Sequence, residues 1–255
     1  MKEYIEIMRI CQDGKKVSLK RFRLNEGELS LDMFGLDEHV STLTLVGDTK
    51  YTEPEMEKLR PFFRSLVTAL TQQSFPIVVI DGATNFGVMK LFGEACEEKQ
   101  PRALIGVTLR AAIEEEKMQL APHHSHILLT PGRRGEWSTE VPFLEKVRST
   151  LAGKKPSALL AVGGGVVTLL EMEQHALKSV PLYVLLGSGS LPQGFIEAKK
   201  EFPDPAYPFS IEKHKSLLST NLVNLLDLAD MYRTVDTLVK SLMPEENCHE
   251  SSQKL

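Results

Sequence analysis

Three short glycine-rich stretches hold the residues best suited to ligand chemistry. Asp81-Gly82-Ala83-Thr84-Asn85-Phe86-Gly87-Val88, Val162-Gly163-Gly164-Gly165-Val166-Val167-Thr168 and Leu186-Gly187-Ser188-Gly189-Ser190 each follow an apolar, strand-like run. Glycine permits tight turning and close backbone approach, and the first two stretches lead into helical patterns whose first N–H groups lack intrahelical partners. Such a helix terminus favours an anion by about 0.3–1 kcal/mol, rising to about 2 kcal/mol when partly buried. Two termini and one charged hydrogen bond would hold a phosphate without a large basic patch. The candidate contacts are Gly82, Thr84, Asn85, Gly87 and Val88 in the first stretch, Gly163, Gly164, Gly165, Val166 and Thr168 in the second, and Gly187 and Ser188 in the third. Gly47 and Asp48, closing an earlier strand, and Gly106, Thr108 and Arg110, at the end of another, extend the set. Arg133 and Arg134, beside Pro131-Gly132 and Gly135, form a basic loop that either closes over phosphates or is simply solvated.

One glycine turn between strand and helix is a common structural device. Three at one sheet edge favour a ligand, because open α/β sheets bind at the carboxyl ends of their strands. Neither a GxGxxG fingerprint with a ribose acid nor a Walker GxxxxGK[ST] is present, which disfavours simple dinucleotide or ATPase chemistry. There is no Gly-x-Ser-x-Gly elbow, and Ser188 has no sequence-adjacent base, so serine hydrolysis has no support. His123, His124 and His126 lie on a segment whose alternate side chains point to opposite faces, and no nearby Cys or His completes a ligand set. Packing or hydrogen bonding at a strand end is their expected role, and neither a metal nor a cofactor is expected.

The elements that must position these residues are legible as a repeating pattern. Thr42 to Val46, Ile77 to Ile80, Ala103 to Val107, His126 to Leu129, Leu159 to Val162 and Leu182 to Leu186 read as buried strands. Helical patterns separate several of them, which predicts an α/β fold: a Rossmann-like, mainly parallel sheet with helices on both faces. Thr52 to Glu55 has the form of a capping box, and Leu59, Phe62, Phe63, Leu66 and Leu70 follow at helical spacing, with Pro61 a point of kink or restart. Val88, Leu91, Phe92 and Ala95 predict one amphipathic helix, and Val166, Leu169, Leu170 and Leu177 the apolar face of another. Tyr4 to Ile10 and Val17 to Leu24 flank Asp13-Gly14 and predict an N-terminal β-hairpin forming an added layer or edge. Leu218, Leu222, Leu225, Ala229 and Tyr232 predict a C-terminal helical segment whose stripe packs on the domain or forms a homo-oligomer interface. The expected organisation is a β extension over 1–40, a nucleotide-binding domain over 41–201, a helical region over 202–243 that begins with a proline-containing connector, and a disordered tail over 244–255.

The 255 residues carry 42% hydrophobic side chains, enough to bury a full core, and a formal net charge of −4. No global basic field exists to hold duplex nucleic acid. The first residues carry acids where a secretory signal needs a basic head, and no apolar run reaches membrane-spanning length, so no membrane partner and a cytoplasmic location are expected. Cys11, Cys96 and Cys248 are widely spaced and odd in number, which fits reduced thiols.

The run from Gly82 to Met89, the strand Leu104 to Val107, His124-Ser125-His126 opening a strand, and Gly163-Gly164-Gly165 with Thr168 and Glu171 together resemble the SLOG superfamily. The likeness spans about residues 40–200 and is closest to the LSDAT branch shared by the cytosolic N-terminal region of TRPM channels and its prokaryotic relatives. It implies binding and sensing of a nucleotide-derived ligand, such as ADP-ribose or a cyclic nucleotide, in signalling or defence. More distantly the chain resembles the Lonely-guy, lysine-decarboxylase-like proteins, whose P-G-G-x-G-T-x-x-E motif falls on Gly163 to Glu171. That likeness implies the alternative of a phosphoribohydrolase in which Glu171 stabilises an oxocarbenium-like centre. The motif departs at Gly163, where the family has proline, and at Val167, where it has glycine; a β-branched residue resists positive φ, so the cradle must be rebuilt there. Ligand sensing is the favoured expectation, with an interaction scaffold as the third.

Overall fold

The computed structural model describes residues 4–10, 16–23, 28–198 and 215–244. The chain opens with the hairpin β1 (Tyr4–Ile10) and β2 (Lys16–Arg23), paired antiparallel. The turn at Asp13-Gly14 lies outside the described residues, as do the 202–210 connector and the 245–255 tail. The six strand-like runs form β3 (Ser41–Gly47), β4 (Ile77–Asp81), β5 (Ala103–Leu109), β6 (His126–Thr130), β7 (Ser157–Val162) and β8 (Leu182–Leu186). Between and after them come α1 (Glu53–Thr71), α2 (Gly87–Ala95), α3 (Arg110–Glu114), α4 (Val141–Ala152), α5 (Val166–Ala176), α6 (Ser190–Ala198) and α7 (Lys215–Ser219), and then β9 (Val223–Asp227) and α8 (Met231–Lys240).

The sheet has the order β2-β1-β6-β5-β4-β3-β7-β8-β9, and β3 to β9 pair in parallel throughout. The hairpin joins it as an antiparallel edge through β1 against β6. Because a strand sends alternate side chains to opposite faces, the apolar residues of β4 divide between two cores. Val78 and Ile80 pack with α4, α5 and α6 on one face, and Ile77 and Val79 pack with α1, α2 and α8 on the other. Chain direction across the sheet reverses between β3 and β7: β3 to β6 step outward one way, and α4 then carries the chain back so that β7 to β9 step the other way. The reversal leaves a crevice outside the carboxyl ends of β3 and β7, where open α/β sheets take ligands.

Thr52 donates to Glu55 from both N–H and Oγ1 at 2.7 Å and so fixes the start of α1. The helix runs unbroken through Pro61, whose neighbours Leu59, Phe62, Phe63 and Leu66 are almost wholly buried; that packing outweighs the missing amide. The C-terminal stripe is not helical throughout. Leu225 lies on β9, which extends the sheet, and Tyr232 on α8 is 80% exposed and faces away from the core. The face of α5 is also rotated from its expected position. Leu169 is buried as expected, but the companions at its depth are Thr168, Met172 and His175, whereas Val166 and Leu177 are exposed. No helix among the described residues is long and apolar enough to cross a membrane.

Candidate functional site

A cleft of about 870 Å³ opens at the β3/β7 crevice. Its floor is formed by strand ends: Gly47 and Asp48 after β3, Gly82 and Thr84 after β4, Thr108 near the end of β5, and Gly164 and Gly165 after β7. The first turns of α5 add Val166, Thr168 and Glu171. The structure thus brings together ten of the expected contacts from four separate strand ends.

Two glycines explain how the loops approach one another. Gly87 has φ +47°, and a Cβ there would collide with the Asp48 carbonyl, to which the Val88 N–H donates at 3.0 Å; α2 is thereby tied to the β3 loop. Gly164 has φ +108°, and a Cβ there would collide with the Thr168 side chain. Only glycine relieves both demands. Val167 sits within α5 in a helical conformation, so the turn is made by Gly163, Gly164 and Gly165 before it.

The remaining expected contacts do not line the cleft, and each has an internal partner or a different exposure. The Asn85 N–H donates to the Gln119 carbonyl, and Gly106 packs against Ala83 and His124 inside the sheet. Gly163 N–H donates to Ser188 Oγ at 2.7 Å, Ser188 Oγ donates to the Leu185 carbonyl at 2.5 Å, and Tyr51 Oη donates to the Ser188 carbonyl at 2.6 Å. Burial and the nearby Asp48 push the Tyr51 phenol well above its ordinary value, so it stays a donor. Lys58 Nζ donates to the Gly187 carbonyl at 3.1 Å. Arg110, expected beside a phosphate, is buried instead in an ion pair with Glu6 at 2.6 Å and a second with Glu114 at 3.2 Å. Arg133 is exposed on its loop beside Glu136, and neither it nor Arg134 reaches the cleft wall.

Several wall residues were not anticipated. Trp137, Phe86, Met89 and Met118 supply aromatic and thioether surface, while Glu116, Glu140, Lys50 and Ser190 add polar groups. Trp137 is the only tryptophan in the chain, in a loop with no apolar period to draw it into the core; that was the available signal. Five large apolar side chains are notably exposed among the described residues, and three of them, Phe86, Trp137 and Val166, line this one cleft. An exposed apolar concentration of this kind is typical of binding surfaces.

Two carboxyl groups in the wall are electrostatically abnormal. Burial, with repulsion from Glu140 second, holds Glu171 well above the usual carboxylate range. Burial also raises Glu140, though its own N–H and that of Ser138, which donates at 2.9 Å, work to keep it ionised. Near neutral pH Glu171 is therefore the member of the pair that retains a proton more readily.

Behind α5, His175 Nδ1 donates to the Glu171 carbonyl at 2.8 Å and Nε2 accepts from Thr44 Oγ1 at 3.1 Å. Arg148 holds Glu145 by two bonds of 2.7 Å, and Glu145 lies 3.6 Å from His175 Nε2. Burial outweighs Glu145 and brings the imidazole down to about 4. The unfolded chain then binds a proton in the interval from about 4 to the ordinary 6.5 that the folded chain refuses, so the His175 contribution to stability rises with pH across that window. Acidification from pH 6.5 to 4 is expected to remove about 3 kcal/mol through this residue. Glu171 and Glu140, with raised values, act in the opposite sense, so the effect is read as the difference between wild type and His175→Gln in urea melts at each pH. Parallel curves for the two proteins would refute it.

Below the β4 loop, Asp81 Oδ1 accepts from the Ala83 N–H at 2.7 Å and faces His124 Nε2 at 2.7 Å, and His124 Nδ1 donates to the Ala121 carbonyl at 3.0 Å. Burial opposes charge on this ring, yet the Asp81 carboxylate and the Ala121 carbonyl outweigh it and hold His124 above its ordinary value. The expected strand-end role of His124 thus takes the form of an ion pair that shapes Ala83, which has φ +62°. No cluster of three or more metal-ligating side chains occurs among the described residues. Cys96 lies nearby; burial, then Asp81, pushes its thiol up to about 12.

Among solved structures, the molybdenum cofactor carrier protein of Chlamydomonas reinhardtii matches at 16% identity over 80% of this chain and 99% of its own, with a TM-score of 0.49. The molybdenum cofactor binding protein of the phototrophic bacterium Rippkaea orientalis matches at 12% identity over 79% and 98%, with a TM-score of 0.48. Among curated protein sequences none matches the chain. The family model described as SLOG in TRPM, prokaryote, matches residues 40–235, which include every strand of the parallel sheet and all the cleft-lining residues. The chain belongs to that family, the prokaryotic SLOG domains of TRPM type.

Proposed function

We propose that the protein binds a nucleotide-derived small molecule in the β3/β7 cleft and acts as a cytoplasmic ligand sensor in signalling or defence. The observation that carries this reading is the convergence, in one cleft at the switch point, of the α5 N-terminus with exposed Trp137, Phe86 and Val166. A helix terminus suits an anionic group, and exposed aromatic faces suit a planar base. Family membership supports the same class of ligand, with ADP-ribose and cyclic nucleotides as the first candidates.

A thermal-shift screen with AMP, ADP-ribose, NAD and cyclic nucleotides tests the proposal. A true ligand at about 100 times its dissociation constant contributes about 2.7 kcal/mol, which is about 5–10 °C of melting temperature in a chain of this size. No shift with any of them would sink the proposal.

One observation favours a second reading. Glycosidic cleavage uses two carboxyl groups of which one keeps its proton, and burial raises both Glu171 and Glu140, Glu171 the more strongly. Chromatography of each incubation separates the readings: release of free base, lost in Glu171→Gln while the thermal shift persists, would establish hydrolysis.

A further inference from the structure

The wall of the cleft carries more information than the presence of a site. Among the described residues lining it, Asp48, Glu116, Glu140 and Glu171 are carboxyl groups and Lys50 is the one cation. Burial works against charge on Glu171 and Glu140, so the wall's repulsion of anions comes chiefly from Asp48 and Glu116. The basic side chains expected to meet phosphate are engaged or displaced: Arg110 is in its pair with Glu6, and Arg133 lies out on the loop beside Glu136. The α5 N-terminus offers a partial positive charge, enough to accommodate a singly charged group. It does not match a terminal phosphate, which carries about −1.5 to −2 at neutral pH, or a chain of them. A phosphate esterified on both sides carries a single charge. In the same wall Trp137 and Phe86 are 37% and 43% exposed with no aromatic partner among the described residues, and Met89 and Met118 add polarisable thioethers of the kind that pack well on rings.

We infer that Trp137 and Phe86 are specificity residues that hold a planar heteroaromatic ring, while the carboxyl-rich wall rejects phosphate monoester and polyphosphate ends. The inference rests on the nucleotide reading above and narrows it to ligands selected by ring and by charge. Glu116 is a well-placed discriminator, because its Oε1 already accepts from the Gly135 N–H at 3.1 Å and so is anchored to the loop that carries Trp137. A glutamine there keeps the acceptor and removes the charge.

The experiment titrates the full chain in magnesium-free buffer with cyclic AMP, cyclic GMP, ADP-ribose, ATP, GTP and ribose 5-phosphate, by calorimetry and by the fluorescence of Trp137. At 50 mM salt the better cyclic nucleotide is expected to quench Trp137 and to bind at least about tenfold more tightly than its triphosphate counterpart, with ADP-ribose, whose diphosphate carries two charges, in between. That gap should narrow at 500 mM salt, where charge repulsion is screened, and in Glu116→Gln. Trp137→Ala should weaken the cyclic nucleotide by about tenfold or more, as loss of a stacking partner does. ATP or GTP binding as tightly as the cyclic compounds would overturn the charge argument. Ribose 5-phosphate binding as tightly as they do, with unchanged fluorescence, would overturn the ring argument. If none of the six compounds binds, the nucleotide reading itself falls, and this inference with it.

Discussion

Val166→Glu is expected to weaken ligand binding by about a hundredfold while leaving the unliganded protein as stable as wild type or slightly more so. Val166 is the first residue of α5, is 60% exposed, and lines the cleft beside Gly164 and Gly165. An acid in the first turn complements the helix dipole by about 0.3–1 kcal/mol. A phosphate seated at the same terminus would instead meet a second negative charge at close range. At about 4 Å and an effective dielectric near 20, that repulsion is about 4 kcal/mol; screening reduces it to roughly 3 kcal/mol, or about a hundredfold in affinity. Val166→Gln, of equal size and uncharged, separates charge from bulk and should stay within about tenfold of wild type. Thermal shift and calorimetry on both variants read the result; full binding by Val166→Glu would place the anionic part of the ligand elsewhere. Gly164→Val is a poorer probe, because the new side chain would meet Thr168 and strain a residue at φ +108° before any ligand arrived.

His124→Ala is expected to be among the most destabilising single substitutions in the molecule. Asp81 and His124 are both fully buried and 2.7 Å apart, and Asp81 Oδ2 has no hydrogen-bond partner among the described residues. Removing the imidazole leaves a buried carboxylate without compensation, which costs about 3–5 kcal/mol, or roughly 10 °C in melting temperature. Adding Asp81→Asn to that variant should restore part of the loss, since an amide oxygen still accepts from the Ala83 N–H but carries no charge. The pair also has a pH signature. With the folded-state value of His124 raised, its contribution is fully present below the ordinary 6.5 and is lost as pH rises through the higher folded value. Urea melts of wild type and both variants from pH 5 to 9 test this. Equal stability of wild type and His124→Ala at pH 6 would show that the pair does not hold the loop.

The local backbone was legible from the chain itself. β-branched runs such as Ile77 to Ile80, each bounded by turn residues, read as strands buried on both faces, and the helices between them favour parallel pairing through the right-handed crossover. Thr52 and Glu55 state where α1 begins, and the glycine stretches state where the sheet's carboxyl edge must lie. These features depend on residues a few positions apart, which is the range over which sequence pattern encodes conformation. Leu222 and Leu225 show the limit even there: a spacing of three suited a helix, yet the open edge of β8 supplied hydrogen-bond partners and drew Val223–Asp227 into the sheet. The lining of the cleft was decided at longer range. Arg110 meets Glu6 across 104 positions, Ser188 is held by Tyr51 across 137, and His175 meets Thr44 across 131. No local period records such partners, so a basic residue expected at a phosphate became a buried ion-pair member and an expected contact became a brace. The same folding that removed those residues brought Trp137 and Glu140, on the approach to α4, to face Gly164 and Glu171 on the far side of the switch point. Sequence determined that a crevice would exist at the glycine edge; tertiary packing decided which side chains fill its wall, because only the closed chain fixes which of them find partners elsewhere.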